Sequence, residues 1–132
     1  MTAANLPVLD AAGLRTLAEA ARGAPACAAC GPVNGKPGWE AVPGTFDAAS
    51  LRAVGTLRHP DDEDPTLEEY HPAGTHAWSP DAPVSVRHHP YNRCEVWECG
   101  ACARVFLRYT EYGGYYHEQR IRPVDPALVV VD

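Results

Sequence analysis

Two pairs of cysteines constrain the fold of this chain more than any other feature of its sequence. Cys27 and Cys30 form one CxxC motif, and Cys99 and Cys102 form a second. A CxxC turn directs two thiolates towards one metal ion, so two turns supply tetrahedral sulfur coordination, which suits zinc at about 2.3 Å per Zn–S bond. We therefore predict one structural zinc ion bound by these four cysteines. Since all four ligands come from the protein, no position is left for water, and the site is predicted to hold the fold without catalysing a reaction.

Each cysteine pair carries a glycine, Gly31 directly after the first pair and Gly100 inside the second. Glycine adopts positive φ readily, so we expect these residues to bend the backbone amides towards the sulfurs. Two such turns, the second of which leads into a predicted hairpin, resemble a zinc ribbon. The resemblance covers a core made of residues 27–42 and 94–122, and it implies a small antiparallel β fold around the metal.

The spacing between the two motifs departs from the zinc-ribbon pattern. The 68 residues between Cys30 and Cys99 (31 through 98) compare with a usual spacing of about 15–20. We interpret residues 43–93 as a lobe inserted between the two halves of the ribbon-like core. Residues 59–83 contain five prolines and an acidic run, Asp61–Asp64, and show no helical or strand period. This proline-rich segment is predicted to be irregular and to pack over the core through Tyr70, Trp78 and Val84.

The N-terminal part of the chain predicts a helix over residues 10–22. Asp10 is a suitable N-cap, and Gly23 followed by Pro25 would end the helix. Its apolar face consists of Leu14, Leu17, Ala18 and Ala21. Further on, residues 39–42 suit a short strand, and Asp47 suits the cap of a short helix through Val54, although the residues that follow, 55–58, would suit a strand as well.

The last third of the chain predicts antiparallel strands. Residues 103–112 and 115–122 have strand character and flank Gly113-Gly114, a pair that suits a two-residue hairpin turn. Counting outward from that turn places Tyr112 opposite Tyr115 and Thr110 opposite His117. Residues 84–88 and 94–98 also read as strands, and residues 128–131 as an edge strand. The predicted fold class is α+β, in a single domain over residues 1–132, with an N-terminal helix, a ribbon-like β core and the inserted lobe.

Other interpretations of the cysteines are a set of small buried apolar residues or a redox-active pair. A redox CxxC motif is activated at a helix N-terminus, whereas Cys102 is followed by residues of strand character. The fifth cysteine, Cys94, lies in a predicted strand and is expected to be a buried free thiol, with replacement of one zinc ligand as the alternative.

Charge and cysteine content limit the partners and the compartment. Seventeen acidic and eleven basic side chains give a net charge of −6, which disfavours nucleic acid as a partner. Five cysteines without a recognisable signal peptide favour metal ligation in a reducing compartment, and we expect a cytoplasmic protein. No apolar run approaches the roughly 18 residues of a membrane span, so we expect no membrane association.

Six histidines leave a second metal site open as an alternative. They are His59, His71, His76, His88, His89 and His117. A catalytic metal needs about three convergent ligands and an open position, and the chain has no HExxH, GxSxG or phosphate-loop signature. The sequence therefore favours a protein that is not an enzyme, with a histidine-containing enzyme or sensor as the alternative.

Tyrosines and arginines concentrate in the predicted hairpin. The candidate interaction surface consists of Arg108, Tyr109, Tyr112, Tyr115, Tyr116 and Arg120. Arginine beside aromatic rings is typical of surfaces that bind another protein, and also of surfaces that stack nucleic-acid bases. Cross-strand pairing with glutamates, namely Glu95, Glu98, Glu111 and Glu118, is the alternative without a binding role. The sequence thus predicts a small non-catalytic zinc protein that acts as a protein-interaction or regulatory module, with a nucleic-acid-binding ribbon as a further alternative.

Overall fold

A computed structural model of the chain describes residues 6–21, 27–34, 38–112, 115 and 117–131. One antiparallel sheet of five strands organises these residues, and short helices flank it. The strands are β1 (Glu40–Ala41), β2 (Leu51–Thr56), β3 (Glu95–Cys99), β4 (Val105–Tyr112) and β5 (His117–Pro123). Their order across the sheet is β1-β5-β4-β3-β2. This architecture agrees with the α+β class expected from the sequence.

The N-terminal helix, α1 (Ala11–Ala20), forms where the sequence predicts it. The side chain of Asp10 accepts a backbone hydrogen bond from the first turn of the helix, as an N-cap does. Leu14 and Ala18 are buried against the sheet, while the remainder of the helix surface is partly or fully exposed. The predicted helix stop at residues 23–25 lies outside the described residues.

The sheet is covered on both faces, and each face has its own apolar cluster. Since side chains alternate along a strand, neighbouring residues of β4 contribute to different clusters, with Leu107 on one face and Phe106 on the other. The helical face, which packs against α1, contains residues such as Leu14, Val96, Val105, Leu107 and Tyr109. The cysteine face contains Cys30, Val33, Phe46, Leu51, Cys99, Phe106 and Ile121.

The hairpin of β4 and β5 has a different register from the predicted one. Tyr112 pairs with His117 and Thr110 pairs with Gln119, so the prediction based on a two-residue turn was wrong by two positions. Gly113 and Gly114 lie outside the described residues. A shift of two positions keeps every side chain on its predicted face, because the side-chain period of a strand is two.

Residues 47–56 form a short 3-10 turn followed by a strand. Asp47 caps a single 3-10 turn, Ala48–Ser50, and the chain then enters β2. The predicted helix through Val54 was therefore wrong beyond residue 50. Pairing of β2 with β3 satisfies the backbone there, and this strand comes from within the segment 43–93 that the sequence assigns to an inserted lobe.

The strands predicted over residues 84–88 and 128–131 are replaced by a single isolated β-bridge between them. Val84 and Val129 form an isolated parallel bridge, and residues 128–131 do not form an edge strand. A 3-10 turn, Pro126–Leu128, includes the first residue of that segment. None of the helices in the described ranges is long and apolar enough to cross a membrane.

A buried arginine holds the end of the proline-rich segment onto the helical face. Arg122 is 1% exposed and donates to the carbonyl oxygen of Ala82 at 2.8 Å and to the hydroxyl of Tyr91. The indole of Trp39 donates to the same hydroxyl at 3.3 Å. The backbone of the segment is thus held by hydrogen bonds to Arg122. Val84, which directly follows the segment, is fully buried in the cluster on the helical face, whereas Trp78 is 44% exposed and its ring lies 4.6 Å from the Arg120 guanidinium.

The hydroxyl of Tyr91 provides a test of this network. Tyr91→Phe removes the acceptor for Arg122 and Trp39 in a buried site, and we expect the free energy of unfolding to fall by about 1–3 kcal/mol. The measurement is chemical denaturation of the metal-loaded protein. The matched control is Tyr112→Phe at an exposed position, for which a change within about 0.5 kcal/mol is expected. Equal effects of the two variants would contradict the role assigned to the network.

Candidate metal centre

The four predicted cysteines converge in the structure. Their sulfur atoms all lie within 4.8 Å of one another. Two contacts join the motifs, Cys27 Sγ to Cys99 Sγ at 3.9 Å and Cys30 Sγ to Cys102 Sγ at 3.6 Å. Zn–S bonds of about 2.3 Å in a tetrahedron place the sulfurs about 3.8 Å apart, so the arrangement fits one zinc ion.

The first pair is positioned by a helical turn. Cys30 is buried and directly precedes α2 (Gly31–Asn34), in which the amide of Val33 donates to the carbonyl of Cys30 at 3.1 Å. Val33 is fully buried in the cysteine-face cluster, and α2 contacts β5. The packing of α2 on the sheet therefore places the first CxxC turn over the end of the hairpin formed by β3 and β4.

The second pair belongs to the turn between β3 and β4. Cys99 is the last residue of β3, and its amide donates to the carbonyl of Arg104 at 2.9 Å. The amide of Ala103 donates to the carbonyl of Cys99 at 2.8 Å, and the amide of Gly100 donates to the carbonyl of Ser50 at 2.9 Å. These backbone bonds fix the turn that presents both sulfurs to the first pair.

Backbone amides and burial shift the thiol pKa values in opposite directions. Hydrogen bonds from the backbone N–H of Cys30, and next from that of Ala29, lower the pKa of Cys27 to about 7. Burial raises the pKa of Cys30 and of Cys102, although the Arg104 amide donates to the Cys102 sulfur. Since zinc binds thiolates, its binding displaces the protons held by these thiols, and zinc affinity rises with pH.

The positive-φ residue of the second turn is not a glycine. Ala103 has φ 65°, whereas Gly31 and Gly100 do not adopt positive φ. The predicted conformational role of these two glycines was therefore wrong. Gly31 starts α2. The amide of Gly100 donates to the carbonyl of Ser50, the residue directly before β2.

The fifth cysteine is a buried free thiol, as predicted. Cys94 is fully buried in the helical-face cluster, on the side of the sheet opposite the other four cysteines. Its S–H donates to the carbonyl of Pro90 at 3.3 Å, and burial raises the pKa of the thiol well above its usual value. Since a residue in this position faces away from the four converging sulfurs, it does not share their site.

The histidines take part in separate local contacts. His71 lies 2.8 Å from a Glu69 carboxylate oxygen, and His88 lies 2.6 Å from the Ser85 hydroxyl. Among the described residues, the four cysteines are the group of three or more potential metal ligands that lie close together. The histidines do not belong to this group.

Two residues of the predicted interaction surface lie inside the structure. Tyr109 is buried, with its ring edge-on to Trp39 at a centroid distance of 4.8 Å. Arg120 is largely buried and forms ion pairs with Glu111 at 3.0 Å and Glu118 at 2.8 Å. For Arg120, the structure shows the cross-strand pairing that the sequence offers as an alternative.

The other residues of that surface differ in exposure. Tyr112 is 69% exposed and Tyr115 is fully exposed, while Tyr116 lies outside the described residues. The Arg108 guanidinium lies 4.6 Å above the Trp97 ring on the cysteine face. The sequence analysis missed this contact, because it depends on the pairing of β3 with β4 and no local motif marks it.

Comparisons with known proteins add no family to this description. No protein-family model matches the chain, and neither the curated proteins nor the solved structures give a match.

The conformation of Ala103 generates a prediction for the second cysteine turn. Left-handed backbone costs a residue with a Cβ atom about 1–2 kcal/mol, which exceeds the entropic cost of glycine, so Ala103→Gly is expected to stabilise the metal-loaded protein by about 0.5–1 kcal/mol. Thermal and chemical unfolding measure the change. The control is Ala101→Gly, an exposed position of the same turn without positive φ, which is expected to be neutral or destabilising. Stabilisation by both variants would show that φ is not the cause.

Proposed function

We propose that this protein binds one structural zinc ion through Cys27, Cys30, Cys99 and Cys102. The convergence of four sulfur atoms within 4.8 Å, from two turns that are far apart in the chain, carries the proposal. A set of four thiolates prefers zinc among the common biological divalent ions and leaves no open coordination position.

A structural role for the zinc ion follows from the two parts of the chain that it would join. On one side lie the first CxxC turn and α2, and on the other lies the turn between β3 and β4. The apolar cluster on the cysteine face contains two of the ligands, Cys30 and Cys99, together with Phe106 and Ile121. Metal binding thus completes this cluster, and the free energy of binding contributes directly to folding.

We also propose that the zinc-stabilised sheet serves as a module for binding another protein. Two exposed tyrosines at the end of the hairpin support this part of the proposal, since Tyr112 and Tyr115 present large aromatic surfaces to solvent. Tyrosine is enriched among the residues that contribute most to protein interfaces.

Metal content is the first test. Native mass spectrometry of protein purified without added zinc is expected to show one zinc ion per chain, and removal of zinc by a chelator is expected to unfold the protein, as read by circular dichroism. Cys30→Ser and Cys99→Ser are expected to lose the ion, because each removes a buried ligand. Cys94→Ala is the matched control and is expected to retain one zinc ion per chain.

Three results would contradict the structural zinc site. The first is a purified chain that is folded and free of metal, and the second is a metal that a chelator removes without loss of structure. The third is loss of zinc from Cys94→Ala together with retention of its fold.

The binding role has a separate test. The double variant Tyr112→Ala/Tyr115→Ala is expected to keep its zinc and its fold, because both side chains are exposed, and to bind partner proteins at least tenfold more weakly. Quantitative pull-down from the source cells measures the effect. Val131→Ala, an exposed apolar position outside the hairpin, is the control and is expected to leave capture unchanged. Full capture by the double variant would exclude these tyrosines from the interface.

A further inference from the structure

Strand β4 is longer than its neighbour β3 and leaves part of the sheet with an open edge. The two strands pair from Glu98 opposite Val105 to Glu95 opposite Arg108. Beyond this point, the last four residues of β4, 109–112, pair with β5 on one side only.

The backbone direction along β4 shows which groups face this open edge. The carbonyl of Val105 accepts from the amide of Val124, on the β5 side, and the carbonyl of Arg104 accepts from the amide of Cys99, on the β3 side. Because the direction alternates from residue to residue, the N–H and C=O groups of Thr110 and Tyr112 point to the β3 side, past the start of β3. Within the described part of the chain, no backbone hydrogen bond closes this side.

A groove of about 770 Å³ lies along the open edge. Its apolar surface includes Leu67, which is 71% exposed, and the rings of Trp97 and Tyr112. An open strand edge beside apolar and aromatic side chains is the arrangement by which proteins add an extended peptide to a sheet.

The charges around the groove favour an acidic ligand. Three arginines line it, and among the described residues none of them forms an ion pair. Arg93 donates to His89 Nδ1 at 3.2 Å and to the carbonyl of Pro65 at 2.9 Å. Arg58 donates to a backbone carbonyl at 3.4 Å, and Arg108 is half-buried over Trp97.

Two carboxylates also line the groove, Glu95 and Glu111. Glu111 is neutralised by Arg120, and Glu95 lies opposite Arg108 in the β3–β4 pairing and attracts its guanidinium, so Arg58 and Arg93 supply the excess positive charge of the groove. The Nε of Arg108 is buried and has no hydrogen-bond partner among the described residues, and burial lowers the pKa of this guanidinium. A carboxylate from a ligand would replace the solvation that this guanidinium has lost.

We propose that the groove binds an extended acidic segment of a partner protein, which pairs with Thr110 and Tyr112 as an added strand. This inference rests on the proposed role of the protein as a binding module. Successive side chains of an added strand point to opposite faces of the sheet. Adjacent acidic residues would therefore reach Arg108 on the cysteine face and Arg93 on the helical face, where its partner His89 lies against Tyr109.

The features of the edge favour a peptide over a nucleic acid. Backbone donors and acceptors that alternate along an open strand match another polypeptide in extended conformation, whereas phosphate binding requires only positive charge.

Defined peptides test the proposal with the zinc-loaded full chain. The probe is an end-blocked, fluorescein-labelled peptide with the sequence Thr-Val-Asp-Glu-Val-Thr, and the readout is fluorescence anisotropy. We expect saturable binding, and a loss of at least tenfold in affinity for a peptide with Asn-Gln at the centre. A peptide whose two central amides are N-methylated keeps its charge but cannot pair as a strand, and it is expected to lose affinity to a similar extent.

Protein variants locate the site. Arg108→Gln is expected to weaken binding about tenfold, whereas Arg15→Gln, an exposed arginine on α1, is expected to leave it unchanged. Thr110→Pro removes an N–H that faces the groove and leaves the backbone hydrogen bonds between β4 and β5 in place, although it loses the hydroxyl that accepts from Gln119. It is therefore expected to abolish binding of the peptide. Zinc stoichiometry and circular dichroism verify that each variant is folded.

Several outcomes would overturn the proposal. These are no saturable binding of the acidic peptide, equal binding of its N-methylated form, or retained affinity in a folded Arg108→Gln variant. Tighter binding of a labelled thymidine decamer would assign the groove to nucleic acid, and concentration-dependent dimers that occlude it would assign it to a second copy of the chain. Since the peptide is measured on zinc-loaded protein, failure of the groove and failure of the zinc site are distinguished by separate readouts.

Discussion

The convergence of two distant cysteine pairs is the constraint on which the rest of the structure depends. The first pair belongs to a segment with only one turn of helix and a two-residue strand after it, and the second forms a turn inside the sheet. Joining them closes a loop of 68 residues, at a cost in chain entropy that grows only slowly with loop length. A metal bound by four thiolates at the proposed site would offset this cost at a single point.

The two faces of the sheet are stabilised by different interactions. On the cysteine face, the four converging cysteines and the residues around Phe106 form one cluster. On the helical face, α1 supplies apolar side chains, while Arg122 holds the proline-rich segment by hydrogen bonds to its backbone. A segment without regular structure leaves backbone carbonyls unpaired, and a buried guanidinium with several donors satisfies them.

Local motifs made part of this structure predictable from the sequence. The two CxxC pairs that converge in the structure and the Asp10 cap were found because each pair and the cap depend on residues a few positions apart. The register of β4 and β5 was missed because the residues that join the strands number four, 113–116, whereas the prediction assumed a two-residue turn. The stacking of Arg108 on Trp97 and the open edge of β4 depend on how far β3 extends, which no local pattern in the sequence encodes.

The position of Cys94 makes the reactivity of its thiol a measure of how often the apolar core opens. This thiol is fully buried on the helical face, whereas Cys27 and Cys102 on the other face are partly accessible. A thiol-specific reagent therefore meets two kinds of cysteine. One kind would be protected by a metal at the proposed site, and the other is protected by the closed apolar cluster on the helical face. Alkylation followed by peptide mapping separates loss of the metal from unfolding of the core within one native chain.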